Sequence, residues 1–433
     1  MDIDVELLDE ASVVLPPSDD EVIEISDSKT DRYNTFGFIS WWKQEVVRNA
    51  TVMVIGAGAL GNEVLKNLAL MGVGRVFIVD FDTIEDSNLS RSILYRAGDN
   101  GRKKAEAAAD AVREINPDVA AQWLHADINR DLGLGVYRRM DAIIGCLDNR
   151  EARLSINKAC WHLNKPWVDA AIQELLGIAR VFVPGRGACY ECTLTEEDYR
   201  IMNVRMSCNL LSHANLVDGK VPTTPTISAI MGSIQTQEAL KLLHGMDVES
   251  GKAFVFNGLM NDFFTIDYDE REDCQSHWVY DEIVELPGAT AAGTTARELL
   301  DEAVNRLDQS ARLEIPTYVT SGYCPICDLT TDIERPMHGL TFRDGACPNC
   351  GEIMRLTSFD EISGDEPFIG RPLVELGVPP LQVVRARTSD WRYAFLELTG
   401  DAQDYFHFTR ADAKSIKTFY NRRKSWPTTA KSK

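Results

Sequence analysis

An α/β fold with a mostly parallel sheet, followed by a smaller α+β domain, is what this 433-residue sequence predicts. Three observations carry that reading. From Thr51 to about Asp267, short β-rich runs alternate with helical stretches, the pattern of strands joined by helices on both faces of one sheet. VMVIGAGALG sets Gly56, Gly58 and Gly61 between an apolar strand and a helix start, so the sheet is of Rossmann-like type with backbone N–H groups free to meet a phosphate. Past Asp281 the alternation stops, and a cysteine-rich segment is framed by isolated strands. Length alone would allow about three domains. Composition reduces these to two domains and two tails.

The elements follow in order. Residues 1–30 hold ten acids and one lysine, too little apolar surface to offset ordering, and read as an acidic disordered tail. Residues 31–280 form the first domain, with strands in TVMVI, VFIV, AIIGC, WVDA and ARVFV and helices in ALGNEVLKNLALMG, RKKAEAAADAVREI and EARLSINKACWHL. A polar connection of about residues 193–222 leads to the helix VPTTPTISAIMGSIQTQEALKLL. Residues 281–419 form the second domain: the strand EIVELP, a helix from about Thr294 to Leu307, a cysteine-rich segment over 322–352, then VVRAR and AFLEL. Residues 420–433 carry five bases and no acid, a basic tail.

Charge narrows the function classes. With 66 Asp+Glu against 45 Lys+Arg the formal charge is −21, which excludes a nucleic-acid-binding surface and favours basic partners. The start MDIDVELLDE has no cationic stretch or apolar core, and no run reaches membrane-spanning length, so the expectation is a cytoplasmic protein with no membrane partner. Ten cysteines there would be thiols, nucleophiles or metal ligands.

Asp80 closes VFIVD, where a carboxylate binds ribose hydroxyls in nicotinamide and ATP enzymes alike. The next residues favour a triphosphate. Asn88 and Arg91 stand just past a strand's carboxyl end, Lys104 opens the next helix, and IIGCLDNRE brings Asp148 and Asn149 to the same sheet edge. One aspartate suffices to hold Mg²⁺ against substrate phosphates, and the set suits attack on an α-phosphate with pyrophosphate leaving. The competing reading makes Arg91 and Lys104 surface cations and Asp148 a helix cap.

GAGALG, DFDTIEDSNLSR, the Lys104 helix and LDN together resemble the ubiquitin-activating and ThiF/MoeB/HesA superfamily, over residues 31 to about 278. That resemblance implies ATP-dependent adenylation of the C-terminal glycine of a ubiquitin-like protein. It implies that Gly56, Gly58, Ala59 and Gly61 cradle phosphates and that Asp80 binds ribose. Ser87, Asn88, Leu89, Ser90, Arg91 and Lys104 would contact nucleotide and phosphates, with Lys103 a neighbouring candidate, while Asp148 and Asn149 would serve Mg²⁺ and the adenylate. A further step is implied, in which a cysteine takes the acyl group before a conjugating enzyme receives it from a C-terminal module. The small size and single adenylation domain suggest a bacterial style. One departure bears on homodimerisation: where sulfur-carrier members read Arg-Tyr-x-Arg, this chain has Arg32, Tyr33, Asn34 and Thr35. DDEVIEISDSK, with Val22, Ile23 and Ile25 among acids, resembles short motifs that add a strand to such a modifier. The alternatives are a sulfur-carrier adenylyltransferase that stops at the acyl-adenylate, a nicotinamide oxidoreductase, and an inactive scaffold.

Cysteine spacing divides the rest. Cys324-x-x-Cys327 and Cys347-x-x-Cys350 give two turns able to close a tetrahedral zinc site, against a reading as redox pairs. Cys189-x-x-Cys192 pairs with Cys274-x-x-His277 in a second site of the kind superfamily members close at these two places. Cys146 and Cys160 lie in apolar contexts and read as small core residues. Cys208 follows Arg200 and Arg205, cations that favour a thiolate. The resemblance implies an acyl-accepting cysteine in the connection before a Pro-Thr-Thr helix, matched here by Pro222-Thr223-Thr224, and so makes Cys208 the candidate thioester nucleophile, though it stands farther upstream than in eukaryotic members; the alternative is an unreactive loop thiol, and His213 reads as a loop residue.

Overall fold

The computed structural model describes residues 31–200 and 222–407. Both tails, Cys208, Arg205 and His213 lie outside the described residues. Residues 31–42 belong to a unit of their own, with a 3-10 turn over Asn34–Phe38 and Phe36 packed against Trp42 at 4.8 Å between rings. The chain from Lys43 onward is a second unit and holds every element below.

An eight-stranded sheet takes the order β3-β2-β1-β4-β5-β6-β7-β8. The strands are β1 (Thr51–Ile55), β2 (Arg75–Val79), β3 (Ala120–Leu124), β4 (Ala142–Gly145), β5 (Trp167–Gln173), β6 (Leu176–Phe182), β7 (Lys252–Asn257) and β8 (Asp262–Asp267). The first five in that order run parallel, with Val52 opposite Val76 and Val54 opposite Ile144. The last three are antiparallel. The parallel character is therefore confined to the half that carries the glycine loop. Central strand β1 is buried along its whole length, as expected of a strand covered on both faces.

The order reverses between β1 and β4, the place where open α/β sheets form a crevice at their carboxyl ends. Three helices border that crevice: α1 (Ala59–Met71) after β1, α2 (Lys104–Ile115) after β2, and α3 (Arg150–His162) after β4. The long helix α4 (Pro225–Leu243) crosses the same sheet, with the Gln235 amide donating to the Gly145 carbonyl at 2.8 Å.

The second sheet has the order β11-β10-β13-β14-β9, and β12 pairs the other side of β10. Its members are β9 (Ile283–Glu285), β10 (Arg312–Cys324), β11 (Leu329–Pro336), β12 (Arg355–Ile362), β13 (Val383–Arg387) and β14 (Tyr393–Glu397). Helix α5 (Ala296–Arg306) packs Leu299, Leu300 and Ala303 into its core and opens with a Thr295–Glu298 capping box.

The two sheets are locked together. Glu397 on β14 is fully buried and held by both Arg138 and Arg139 from the first domain. A Cβ on Gly135 would stand 2.6 Å from the Leu381 carbonyl oxygen, which already accepts the Gly135 N–H at 2.8 Å. The chain after β14 returns to the first sheet: Gln122 donates to the Tyr405 carbonyl at 2.7 Å, and Tyr405 and Phe406 pack on Phe77. The 281–419 boundary read from sequence thus meets a physical difference, since Leu381 lies in the core of the preceding domain and Ala402, Tyr405 and Phe406 pack against it.

Candidate functional site

The glycine loop links β1 to α1, and each glycine answers a different demand. Gly56 has φ +95°, and a Cβ there would meet the Cys146 carbonyl oxygen at 2.4 Å. A Cβ on Gly61 would meet the Gly56 carbonyl oxygen at 2.0 Å. Gly58 faces open space, which leaves the α1 N-terminus bare where a phosphate would approach. Helix α1 has no side-chain cap, and Ala59 is its first residue.

Two residues that the sequence reading missed hold this loop. Buried Asn62 donates to the carbonyls of Ala57 (2.8 Å) and Gly58 (2.9 Å) and accepts the Leu94 N–H at 2.9 Å. The Tyr95 hydroxyl donates to Ala57 O at 2.6 Å. A polar residue next to Gly61 in a mostly apolar helix was a usable signal for Asn62; Tyr95 offered none.

Asp80 directly follows β2, and its two oxygens accept the N–H groups of Ala57 and Asp82, each at 2.7 Å. Burial raises its carboxyl above the usual range, against the lowering effect of those donors and of the Lys104 ammonium. Lys104 Nζ lies 2.7 Å from Asp82 Oδ2, whereas Lys103 lies over the Trp123 ring at 5.4 Å. Of the two lysines, Lys104 is thus the one turned toward the Asp80 edge. An antiparallel bridge between Thr83 and Lys103 brings the start of α2 beside the end of β2.

Ser87, Asn88, Leu89, Ser90 and Arg91 form one turn. Asn88 Oδ1 accepts the Glu85 N–H at 3.0 Å, the Leu89 N–H donates to Asp86 O at 3.1 Å, and the Ser87 carbonyl accepts from Ser90 Oγ (3.3 Å) and Arg91 Nη1 (2.8 Å). Arg91 has no carboxylate partner among the described residues. After β4, Asp148 is exposed, and Asn149 Oδ1 accepts the Ala152 N–H at 2.8 Å. The α3 cap is therefore Asn149; exposed Asp148 does not cap the helix, and its Oδ1 accepts the Asn149 side-chain amide at 3.5 Å.

The first cysteine cluster lies at the other end of α3. Cys189 Sγ is 3.7 Å from Cys192 Sγ and 3.5 Å from Cys274 Sγ, and Cys192 Sγ is 3.4 Å from His277 Nε2. Zinc–sulfur bonds of about 2.3 Å put tetrahedral ligands about 3.8 Å apart, so this donor set fits a zinc ion. Trp161, near the end of α3, stacks on His277 with ring centroids 4.2 Å apart. Glu270 stands 3.6 Å from His277 Nδ1, leaving Nε2 for a metal. Trp161, which stacks on His277, lies about 20 Å along the α3 axis from Asp148, and Asn157, which donates to Cys189 Sγ at 3.4 Å, about 14 Å. Four protein donors leave no open position, so the chemistry this cluster can supply is structural.

In the second cluster Cys324, Cys327, Cys347 and Cys350 bring their sulfurs within 4.8 Å of one another, with Cys324 and Cys350 at 3.6 Å. Both turns sit beyond the end of β10, packed on Met354, Leu329 and Ile333. Cys146 and Cys160 are buried, and burial pushes both thiols well above the ordinary thiol range.

A strand-ended glycine loop, an aspartate just past β2, a lysine at a helix start and an aspartate after β4 all stand at one sheet edge. Residues 31–276 match the ThiF family. The chain belongs to the ThiF family. Its curated relatives include the SAMP-activating enzyme E1 of Haloferax volcanii, 31% identical over 52% of this chain and 79% of that protein. The adenylyltransferase and sulfurtransferase MOCS3-1 of Drosophila pseudoobscura pseudoobscura is 28% identical over 63% of this chain, which spans 58% of that protein's length. Among solved structures, E. coli MccB with AMPCPP and MccA aligns at a TM-score of 0.49 and 21% identity, over 59% of this chain and 76% of that one.

Proposed function

We propose that this ThiF-family protein activates the C-terminal carboxylate of a ubiquitin-like protein with Mg²⁺–ATP, transfers the acyl group to Cys208 and hands it to a conjugating enzyme. The observation that carries the reading is topological: the chain segments that follow parallel strands β1, β2 and β4 carry Gly58, Arg91 with Lys104, and Asp148 respectively, and all leave the same carboxyl edge of the sheet. The α1 N–H groups at Gly58–Gly61 receive phosphate oxygens, Lys104 and Arg91 offset charge that grows on the phosphates, and Asp80 orients the ribose. Asp148 would hold Mg²⁺, which supplies charge neutralisation between phosphates. The substrate carboxylate attacks the α-phosphorus, a P–O bond forms, and the bond to pyrophosphate breaks. The Cys208 thiolate then attacks the acyl carbon and AMP leaves.

Two further features support a protein substrate. Edge strand β8 exposes Phe263, Phe264 and Ile266, with Leu259 and Met260 bare at the hairpin tip. Acids flank it at Asp262, Asp267, Asp269 and Glu270, which favours a basic partner. The chain bearing Cys208 leaves the described body just past Asp198, whose carboxylate pairs at 2.8 Å with Arg150, two residues from Asp148. Two structural zinc ions in the cysteine clusters complete the reading.

A second reading, a sulfur-carrier adenylyltransferase that stops at the acyl-adenylate, is favoured by the match to MOCS3-1. Incubation with ATP and candidate modifiers, followed by pyrophosphate exchange and gels with and without reductant, separates the two. A reductant-sensitive adduct lost in Cys208→Ala supports the thioester step; exchange without any adduct supports the second reading. No exchange with any modifier would refute both.

A further inference from the structure

Beneath Asp148 lies a buried charge cluster that none of the nucleotide contacts draws on. Asp169 on β5 is fully buried; its Oδ1 accepts from Arg153 Nε at 2.8 Å and its Oδ2 from Arg180 Nε at 3.1 Å. Arg153 and Arg180 are themselves buried, so two guanidinium groups share one carboxylate and a net positive charge stays below the crevice. The remaining Arg153 donors go to backbone oxygens. Nη2 donates to Leu147 O and to Ala170 O (3.0 Å), and Nη1 reaches Asn149 O at 3.4 Å. Arg153 thus grips the carbonyl on each side of Asp148, while Arg180 touches neither.

We propose that Arg153 is a positioning residue for nucleotide-bound Mg²⁺: its guanidinium fixes the Leu147–Asn149 turn so that the Asp148 carboxylate faces the crevice. This rests on the proposed role of Asp148. A short exposed turn would otherwise spend much of its time with the carboxylate turned to solvent, and the entropy of ordering it would fall on metal binding. Buried Arg153 meets that cost at folding. Its planar fork can hold Asp169 and two turn carbonyls together; a lysine ammonium cannot span them.

Calorimetric titration of the full chain with ATP, with and without added Mg²⁺, tests the proposal and needs no modifier. The quantity read is the gain in ATP affinity that Mg²⁺ confers. Arg153→Gln and Arg153→Lys are each expected to cut that gain about tenfold, the usual scale for removing an outer-sphere support, with affinity in the absence of Mg²⁺ little changed. Asp148→Ala should abolish the gain, and Arg153→Gln added to it should cost nothing more. Arg180→Met, which strips the same carboxylate of a partner without touching the turn, should lower the melting temperature and leave the gain intact. A full gain in either Arg153 variant, or an equal loss in Arg180→Met, would overturn the positioning role. A full gain in Asp148→Ala would instead remove the reading of Asp148 on which it stands.

Discussion

The two cysteine clusters offer similar donors and do different work. Cys189, Cys192, Cys274 and His277 join chain segments more than eighty residues apart, and the residues between the ligands are tied together as firmly as the ligands themselves. Glu191, between two cysteines, accepts from Ser276, between the other two donors, and from the Tyr199 hydroxyl at 2.9 Å. Just past His277, Trp278 and Tyr280 pack on Phe395 of the second sheet. Cys324, Cys327, Cys347 and Cys350 by contrast close a local ribbon with a small apolar core of its own. Closely related ligand chemistry thus holds two domains and a long connection together in one case and folds a surface extension in the other.

The largest effect should come from Cys274→Ser. One zinc per chain should be lost and the melting temperature should fall by on the order of 10 °C, read by metal analysis and calorimetry, because an interdomain anchor goes with the ligand. Cys347→Ser should also release one zinc, yet its damage should stay in the ribbon: amide exchange should rise in β11 and β12 while ATP affinity is unchanged. Equal melting shifts in the two variants would erase the contrast.

A pH dependence sharpens it further. His162 donates from Nδ1 to the Trp278 carbonyl at 2.8 Å and stacks on Tyr280, and burial lowers its pKa below the ordinary 6.5. The unfolded state then takes up the proton first, so stability is fully present above pH 6.5 and falls as the pH drops below it. His162→Phe should flatten that slope in melting temperature against pH, and the slope should be the same in Cys347→Ser as in the parent. Smallest is Tyr199→Phe, which removes one hydrogen bond to Glu191 and should cost about 1–2 kcal/mol in denaturant unfolding, with zinc content unchanged.

Much of the crevice was legible because its signals are local. Gly56 and Gly61 stand where no side chain would fit, Gly58 leaves the helix start open, and Asp80, Lys104 and Asp148 sit at strand ends or helix starts that periodicity locates. Cys-x-x-Cys and Cys-x-x-His spacings announce metal turns, yet which pairs combine is a matter of spatial approach. Other residues that hold the site were invisible for the same reason. Tyr95 and Arg153 act on the distant carbonyls of Ala57 and Ala170, and nothing in their own neighbourhoods says which. Strand β3, with half-buried Gln122 and Trp123, lacks the apolar run of its neighbours and so gives no strand signal of its own.

By itself, then, the sequence determined the parallel α/β half, the phosphate-ready turn and the donor inventory, since steric permission, hydrophobic period and ligand type are properties of short segments. Tertiary structure alone decided that three antiparallel strands extend the sheet, that Asn149 rather than Asp148 caps its helix, and that Arg138 and Arg139 clamp Glu397 across the domains. Those outcomes depend on which distant groups are driven together when apolar surface is buried and every buried charge must find a partner, and no short window of residues holds that information.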